Sequence, residues 1–282
     1  MRRLSIHESS SFRWSFFQDV IKYANAGYRS MGLWRTKVED FGVDNAADLL
    51  HEMQIRASSY GWAGGFTGSS GFSFSDAVDD AILAIHQAHR LNADKLILYS
   101  GARNGHTHSH ALRLVKTAIA KISPIAADMG VQILLEPVFT PKNPWDCLSF
   151  GQYLRLLENF NESELGIALD IFHFGASEAN LDQLNQIAPR IQLVQIADGC
   201  FCNREFVRCN LGAGKLPIRS WMDRIQMLGY EGDIEVELHG FKFEESNYIE
   251  TFEKCENYMA NLSTRSQHTP ATIPSISISP NR

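Results

Sequence analysis

The stretch Ile191-Gln-Leu-Val-Gln-Ile-Ala-Asp198 reads as a buried β-strand with one out-of-place polar residue, Gln195, near its C-terminal end. Three other apolar runs end in the same manner, each on a carboxylate: Leu134-Leu-Glu136 before Pro137, Ala168-Leu-Asp170, and Val236-Glu237-Leu238. Short runs that are apolar on both faces are what buried parallel strands require. The ends of those strands are then the place to look for chemistry.

Outward from these four runs, strand-like and helix-like segments alternate along the chain. Strands are expected at Leu4–His7, Tyr28–Trp34, Ile55–Tyr60, Lys95–Ser100, Val131–Glu136, Leu165–Asp170, Ile191–Ala197 and Gly232–Leu238. Helical periodicity places helices at Phe16–Ala26, at Asn45–Met53 with Asp44 as cap, and from a Ser75 cap to Leu91. Others follow from the loop at 101–108 to Met129, and at Ser149–Phe160, Asn180–Ala188, Ile218–Leu228 and Ser246–Leu262. Eight βα units within 282 residues predict an α/β fold, a (β/α)8 TIM barrel. A doubly wound open sheet carries a Gly-rich phosphate turn after its first strand, and His7-Glu-Ser-Ser-Ser11 has none. The barrel is expected over residues 1–262. The tail at 263–282 is rich in Ser, Thr and Pro, lacks periodicity, and is expected to be disordered.

Hydrophobic content of 44% and charged content of 21% are ordinary for a globular protein. A net charge of −6 without a Lys/Arg cluster argues against nucleic acid as a partner. No apolar run approaches the roughly 18 residues of a membrane span, and the N-terminus turns polar before a signal-peptide core could form. The five cysteines, Cys147, Cys200, Cys202, Cys209 and Cys255, lack framework spacing and read as free thiols. A cytoplasmic protein with no membrane partner is the expectation.

In such a barrel the active site lies at the C-terminal ends of the strands. Glu136, Asp170, Gln195 and Glu237 fall on the last four strands and are positioned to converge. Three clustered carboxylates repel one another unless a cation is present. Oxygen ligation by carboxylates and one amide favours a single divalent ion, Mg or Mn, over Zn or Cu. Glu235 competes with Glu237: the two flank Val236, and periodicity alone does not choose which one reaches the site.

The segments Leu135-Glu-Pro137, Leu169-Asp-Ile-Phe-His173, Val194-Gln-Ile-Ala-Asp198 and Gly229-Tyr-Glu-Gly-Asp-Ile-Glu-Val-Glu237 resemble the xylose-isomerase-like barrel superfamily, in its sugar phosphate isomerase/epimerase group. That group includes ketose 3-epimerases, hydroxypyruvate isomerases, inosose dehydratases and 3-dehydroshikimate dehydratases. The resemblance covers nearly the whole chain before the tail. It implies a metal-dependent isomerase or epimerase of a sugar or small keto-acid, acting by proton abstraction beside a carbonyl through a metal-stabilised enediolate. By this resemblance Glu136 and Glu237 are the acid–base pair, and Glu136, Asp170, Gln195 and Glu237 the metal ligands. The family's spacing from the Gly232 turn selects Glu237 over Glu235. The resemblance also implies that His173 and Arg208 bind substrate oxygens, with Arg204 as the competitor of Arg208, and that the protein forms a homodimer. Many relatives carry histidine where this chain has Gln195; the hydroxypyruvate isomerase and dehydroshikimate dehydratase branches resemble it in placing glutamine there. A dehydratase using the same two glutamates is therefore the alternative. An apurinic-site endonuclease needs a His-rich three-metal cluster and a basic face, against which Gln195 and the net charge argue.

His7 and Tyr99 sit at strand ends, and His7 and Trp62 are expected to contact substrate. The stretch Gly61-Trp-Ala-Gly-Gly-Phe-Thr-Gly-Ser-Ser-Gly71 holds five glycines and reads as a loop, a candidate aromatic lid. His106-Thr-His-Ser-His110 reads as an exposed His-rich loop, and Cys200, Cys202 and Cys209 lack a fourth zinc ligand at suitable spacing.

Overall fold

The computed structural model describes residues 4–69, 71–138, 148–175, 179–203, 205–239 and 247–264. Eight parallel strands close a barrel: β1 (Leu4–His7), β2 (Ser30–Trp34), β3 (Arg56–Gly64), β4 (Lys95–Tyr99), β5 (Gln132–Leu135), β6 (Gly166–Asp170), β7 (Ile191–Ile196) and β10 (Asp233–Val236). They follow chain order around the barrel, and β10 pairs with β1 to close it. This is the expected TIM barrel. Two further strands, β8 (Asp198–Cys202) and β9 (Glu205–Cys209), form an antiparallel hairpin outside it.

The helices are α1 (Phe16–Asn25), α2 (Arg35–Phe41), α3 (Val43–Glu52), α4 (Phe74–Arg90), α5 (His108–Asp128), α6 (Phe150–Leu157), α7 (Ile171–Phe174), α8 (Ala179–Ile187), α9 (Ile218–Met227) and α10 (Tyr248–Thr264). Local sequence explains where several start. Ser15 with Gln18, and Ser73 with Asp76, form reciprocal capping boxes that satisfy first-turn amides. The apolar stripes of the helices pack on the outer faces of the strands, with Trp221, Tyr23, Phe16 and Phe174 fully buried between the layers. Inside the barrel a smaller cluster of Ile97, Leu134, Ala168 and Leu193 fills the lumen, and Trp62 packs against it. Among the described residues no helix is long and apolar enough to cross a membrane.

Several expected boundaries move. Ser73, not Ser75, caps α4, because its hydroxyl is placed to accept the Asp76 amide. Gly42, not Asp44, precedes α3, which begins directly after the unpredicted helix α2. The Gly-rich stretch is not all loop: Gly61–Gly64 continue β3 and pair with β4, with a register shift around Trp62. Its remainder is tethered rather than free. Thr67 donates to the Ala102 carbonyl at 2.5 Å, and its own carbonyl accepts from Asn104 and His106. Phe66 is buried and Phe72 exposed, so of the three aromatics only Trp62 serves the cavity described below. Cys147, Arg204 and most of the tail lie outside the described residues.

A buried ionic corner joins β1 to α1 and α2. The Lys37 ammonium donates to the Glu8 carbonyl (3.1 Å), the Ser11 carbonyl (2.9 Å) and Asp19 Oδ2 (2.6 Å). Ser11 donates to Asp19 Oδ1 at 2.6 Å and accepts from Tyr23, while Glu8 Oε2 accepts the Trp34 amide at 2.7 Å. This corner fixes the turn that follows His7 and the strand end that carries Trp34.

The loop after β7 is organised by Asp198. Its carboxylate accepts from the amides of Gly199 (2.7 Å), Gly212 (3.1 Å), Gly214 (2.9 Å) and Leu216 (3.0 Å). One anion thus closes the base of the β8–β9 hairpin onto the turn before α9. Asp198→Ala strands these donors, and we expect a loss of about 1–3 kcal/mol, read as a lower urea midpoint at unchanged slope.

Candidate active site

Glu136 follows β5, Asp170 ends β6, Gln195 lies near the end of β7 and Glu237 follows β10. All four are buried, Asp170 and Gln195 fully so. Their strands are neighbours around the barrel, with Asp170 the register partner of Gln195. A cavity of about 660 Å³ opens over this end of the barrel, with Glu136 and Glu237 in its wall. Its other walls are largely aromatic, with Trp34, Trp62, Tyr99, Phe172 and Phe206 among them. The hairpin overhangs the mouth and contributes Cys202, Glu205 and Arg208.

Arg208 is the hub of the site. Its Nη2 donates to Asp170 Oδ2 at 2.7 Å, to His173 Nε2 at 3.2 Å and to Glu237 Oε1 at 3.3 Å, and its Nη1 reaches the Glu237 carbonyl at 3.4 Å. The guanidinium also lies over the Phe172 ring, 4.5 Å from its centroid. Phe206 stacks on Phe172 at 5.4 Å and 10°. Gly199 makes that stack possible, since a Cβ there would stand 2.2 Å from the Phe206 ring. Burial alone would lower the Arg208 pKa, but the carboxylates of Asp170 and Glu237 outweigh it and hold the guanidinium charged.

Burial pushes Glu237 well above the usual carboxylate range, against the pull of Arg208, with Asp170 and Glu136 adding to the rise. Burial lowers His173 to about 4, opposed by Asp170. The imidazole is therefore neutral at pH 7, and its 3.5 Å approach to Asp170 Oδ2 is no ion pair. Because an arginine can only donate, His173 accepts at Nε2 and carries its proton on Nδ1. Glu136 Oε2 accepts the Trp62 indole N–H at 2.7 Å.

A cation would find ligands here. One atom from each of Glu136, Asp170 and His173 lies within 4.8 Å of the others. Among the described residues, both side-chain polar atoms of Gln195, and Glu237 Oε2, are buried without a hydrogen-bond partner. Unpaired buried oxygens beside clustered carboxylates are what a hard-cation site presents. The donor set therefore fits a divalent ion.

The expected substrate-contact residues divide. His173, Arg208 and Trp62 line the cavity. His7 does not: it is fully buried behind Trp62, ring against ring at 4.8 Å, with Nδ1 accepting the Ser9 amide. Burial drives it down to about 3, so it is a neutral wedge under the indole. Glu235 and Glu237 both turn into the barrel, at different depths. Glu235 lies below, bonded to Ser58 and Ser59, so the choice between them was one of height and not of face. Sequence reasoning missed Trp34, Phe172, Phe206, Glu205 and His239 as cavity residues. An aromatic two residues after the strand-end Asp170 is the available signal for Phe172. In the His-rich tract, the His106 and His110 rings stack at 4.7 Å, and no metal group forms there among the described residues.

The sequence profile of the xylose isomerase-like TIM barrel matches residues 20–258. The chain belongs to this family. Among relatives of this xylose isomerase-like barrel, a ketose 3-epimerase of Arthrobacter globiformis is 27% identical over 124 residues, 43% of this chain and 40% of the relative. An inosose isomerase of Halalkalibacterium halodurans is 26% identical over 137 residues, 46% of this chain and 47% of the relative. The matches thus span less than half the length of these curated relatives. The IolI protein, whose structure holds a zinc atom, superposes with a TM-score of 0.80 at 17% identity, covering 94% of this chain and 99% of IolI; at that identity the likeness shows the fold.

Proposed function

We propose that this barrel is a divalent-metal-dependent isomerase or epimerase of a sugar or small keto-acid. The observation that carries the reading is that Glu136 and Glu237 line one cavity, with Asp170 and the Gln195 amide, partnerless among the described residues, between their strands. The activities of the ketose 3-epimerase and inosose isomerase relatives support it. A cation held by Glu136, Asp170, Gln195 and Glu237, Mn or Mg by the hardness of the donors, would polarise the substrate carbonyl and offset enediolate charge.

The protein's own groups do the remainder. Glu136 and Glu237 approach the substrate carbon from different strands, so one removes a proton and the other returns it. Return to the opposite face of the same carbon is epimerisation; return to the neighbouring carbon is isomerisation. The Trp62 N–H fixes the Glu136 carboxylate. Arg208, in the cavity wall, is a donor for substrate oxygens. The aromatic walls exclude water from the reacting carbon and offer flat faces to the C–H face of a sugar.

Incubation with Mn2+ in D2O over a panel of keto-sugars and hydroxy keto-acids is expected to place deuterium beside the carbonyl of at least one of them. Glu136→Gln and Glu237→Gln are each expected to lower that exchange by ~10²–10⁴-fold, the usual weight of a general acid or base. Exchange that survives both substitutions, or a wild-type protein with no affinity for Mn2+ or Mg2+, sinks the proposal. An unsaturated product in place of an isomer would identify the dehydratase chemistry instead.

A further inference from the structure

Beside the candidate ligands, the barrel lumen holds a carboxylate that this chemistry does not use. Glu235 precedes Glu237 by two residues on β10 and is fully buried. Ser58 and Ser59 both donate to its Oε1, at 2.6 and 2.7 Å. Consecutive residues of a strand ordinarily face opposite sides. Here both hydroxyls reach the lumen because β3 shifts register against β2: Ala57 pairs with Met31 and Ser59 with Gly32, which leaves Ser58 as an extra residue. Gly32 clears the space, since a Cβ there would lie 2.5 Å from His7 Cδ2 and 2.8 Å from Glu235 Oε1. A bulge, two serines and a glycine on two strands thus build a niche for one carboxylate on a third.

The other oxygen of that carboxylate, Oε2, is buried and has no partner among the described residues. On the adjacent strand β7, the register partner of Glu235 is Gln195, whose Nε2 and Oε1 are likewise buried and partnerless. An amide NH2 only donates and a carboxylate only accepts, so these two side chains are complementary. Left unpaired, each buried group carries its desolvation cost with nothing to offset it. On its other side Gln195 is paired in register with Asp170, so the amide stands between a candidate ligand and the Glu235 niche.

We infer that Glu235 is a positioning residue: it accepts a hydrogen bond from Gln195 Nε2, directly or through one enclosed water, and thereby turns Gln195 Oε1 toward the cation. The inference rests on the reading of Gln195 as a metal ligand. It is the amide counterpart of the carboxylate that orients a metal-bound histidine. The physical need is greater for an amide, whose two ends have nearly the same shape. Without a fixed acceptor it could present its NH2, which has no lone pair to offer a cation.

The test is a double-mutant cycle in Mn2+ affinity, measured by calorimetry on the full chain. Glu235→Leu is expected to weaken binding by ~10–100-fold, and Glu235→Gln, which keeps an acceptor oxygen, to recover most of it. In a Gln195→Ala background, Glu235→Leu is expected to add no further loss. An equal loss in both backgrounds overturns the orienting role while leaving the metal site standing. No Mn2+ affinity in the wild type overturns the metal reading, and this inference with it. Urea melts identify any variant that fails to fold. Should Glu235→Leu be one, a structure of the Mn2+-loaded wild type decides: Gln195 Nε2 bonded to Glu235 or to a shared water supports the role, and Nε2 bonded elsewhere overturns it.

Discussion

Arg208→Met is expected to bind Mn2+ or Mg2+ about tenfold more tightly than the wild type, yet to melt at a lower temperature in the presence of chelator. The two effects have one cause. Arg208 Nη2 occupies lone pairs of Asp170 Oδ2 and Glu237 Oε1, at 2.7 and 3.3 Å. Asp170 Oδ2 is an oxygen that a cation would take, since Oδ1 already accepts the Phe172 amide, so the guanidinium and the ion compete for it, and each also repels the other. Removing the guanidinium relieves both penalties; about 1.4 kcal/mol of relief is a factor of ten. Without a cation, the same substitution leaves Asp170 and Glu237 buried without their counter-charge. Breaking a buried pair on one side costs about 3–5 kcal/mol. For a domain of this size each kcal/mol moves the midpoint by about 2–4 °C, so a fall of roughly 6–20 °C is expected. Saturating Mn2+ should then stabilise the variant more than it stabilises the wild type. A variant that loses metal affinity as well as stability would show that Arg208 supports the ligand oxygens instead of competing for them, and would end this account. Substrate turnover is expected to fall in either case, because the donor that faces the substrate is gone.

The elements legible in the sequence were those whose signal is local. Alternating apolar runs and capped amphipathic segments announce the eight βα units, and strand-end polar residues announce Glu136, Asp170 and Glu237, because the fold puts chemistry there. What escaped depends on register and on distant partners. The continuation of β3 through Gly61–Gly64 was hidden because glycine disfavours a strand locally, and only pairing with β4 holds it there. The hairpin β8–β9 lacks a two-residue Gly turn; its tip includes Asn203 in the left-handed region, and Asp198, at the start of β8, ties its base to amides 14 and 18 residues further along the chain. Ser58 and Ser59 look like ordinary alternation until the bulge turns both inward. His7 lies at a strand end like the other candidate site residues, but Trp62, from a stretch that reads as loop, comes between it and the cavity.

Lys37→Met is expected to destabilise the protein by about 3–5 kcal/mol at pH 8, and by clearly less at pH 5. Lys37 is almost fully buried and spends its three donors on the Glu8 carbonyl, the Ser11 carbonyl and Asp19. The substitution strands two carbonyls and one carboxylate. The pH dependence follows from Asp19. Burial raises its pKa to about 6, even with Lys37 pulling it down. A carboxyl raised in the folded state stabilises that state most fully below its unfolded pKa, and the contribution is lost as pH rises through the folded value. In the wild type that loss falls between about 4 and 6. Taking away Lys37 moves the folded value higher still, so the variant holds Asp19 protonated where the unfolded chain releases its proton, and the deficit grows with pH. Glu8, raised by burial and by Asp19, acts in the same direction. The check is the urea midpoint of both proteins at pH 5 and pH 8. A deficit equal at the two values would mean that packing, not charge, sets the cost. The consequence reaches the site, because Glu8 holds the Trp34 amide and the turn after His7. Loosening this corner is expected to disturb the Trp34 wall of the cavity and the wedge beneath Trp62, and through Trp62 the hydrogen bond that fixes Glu136.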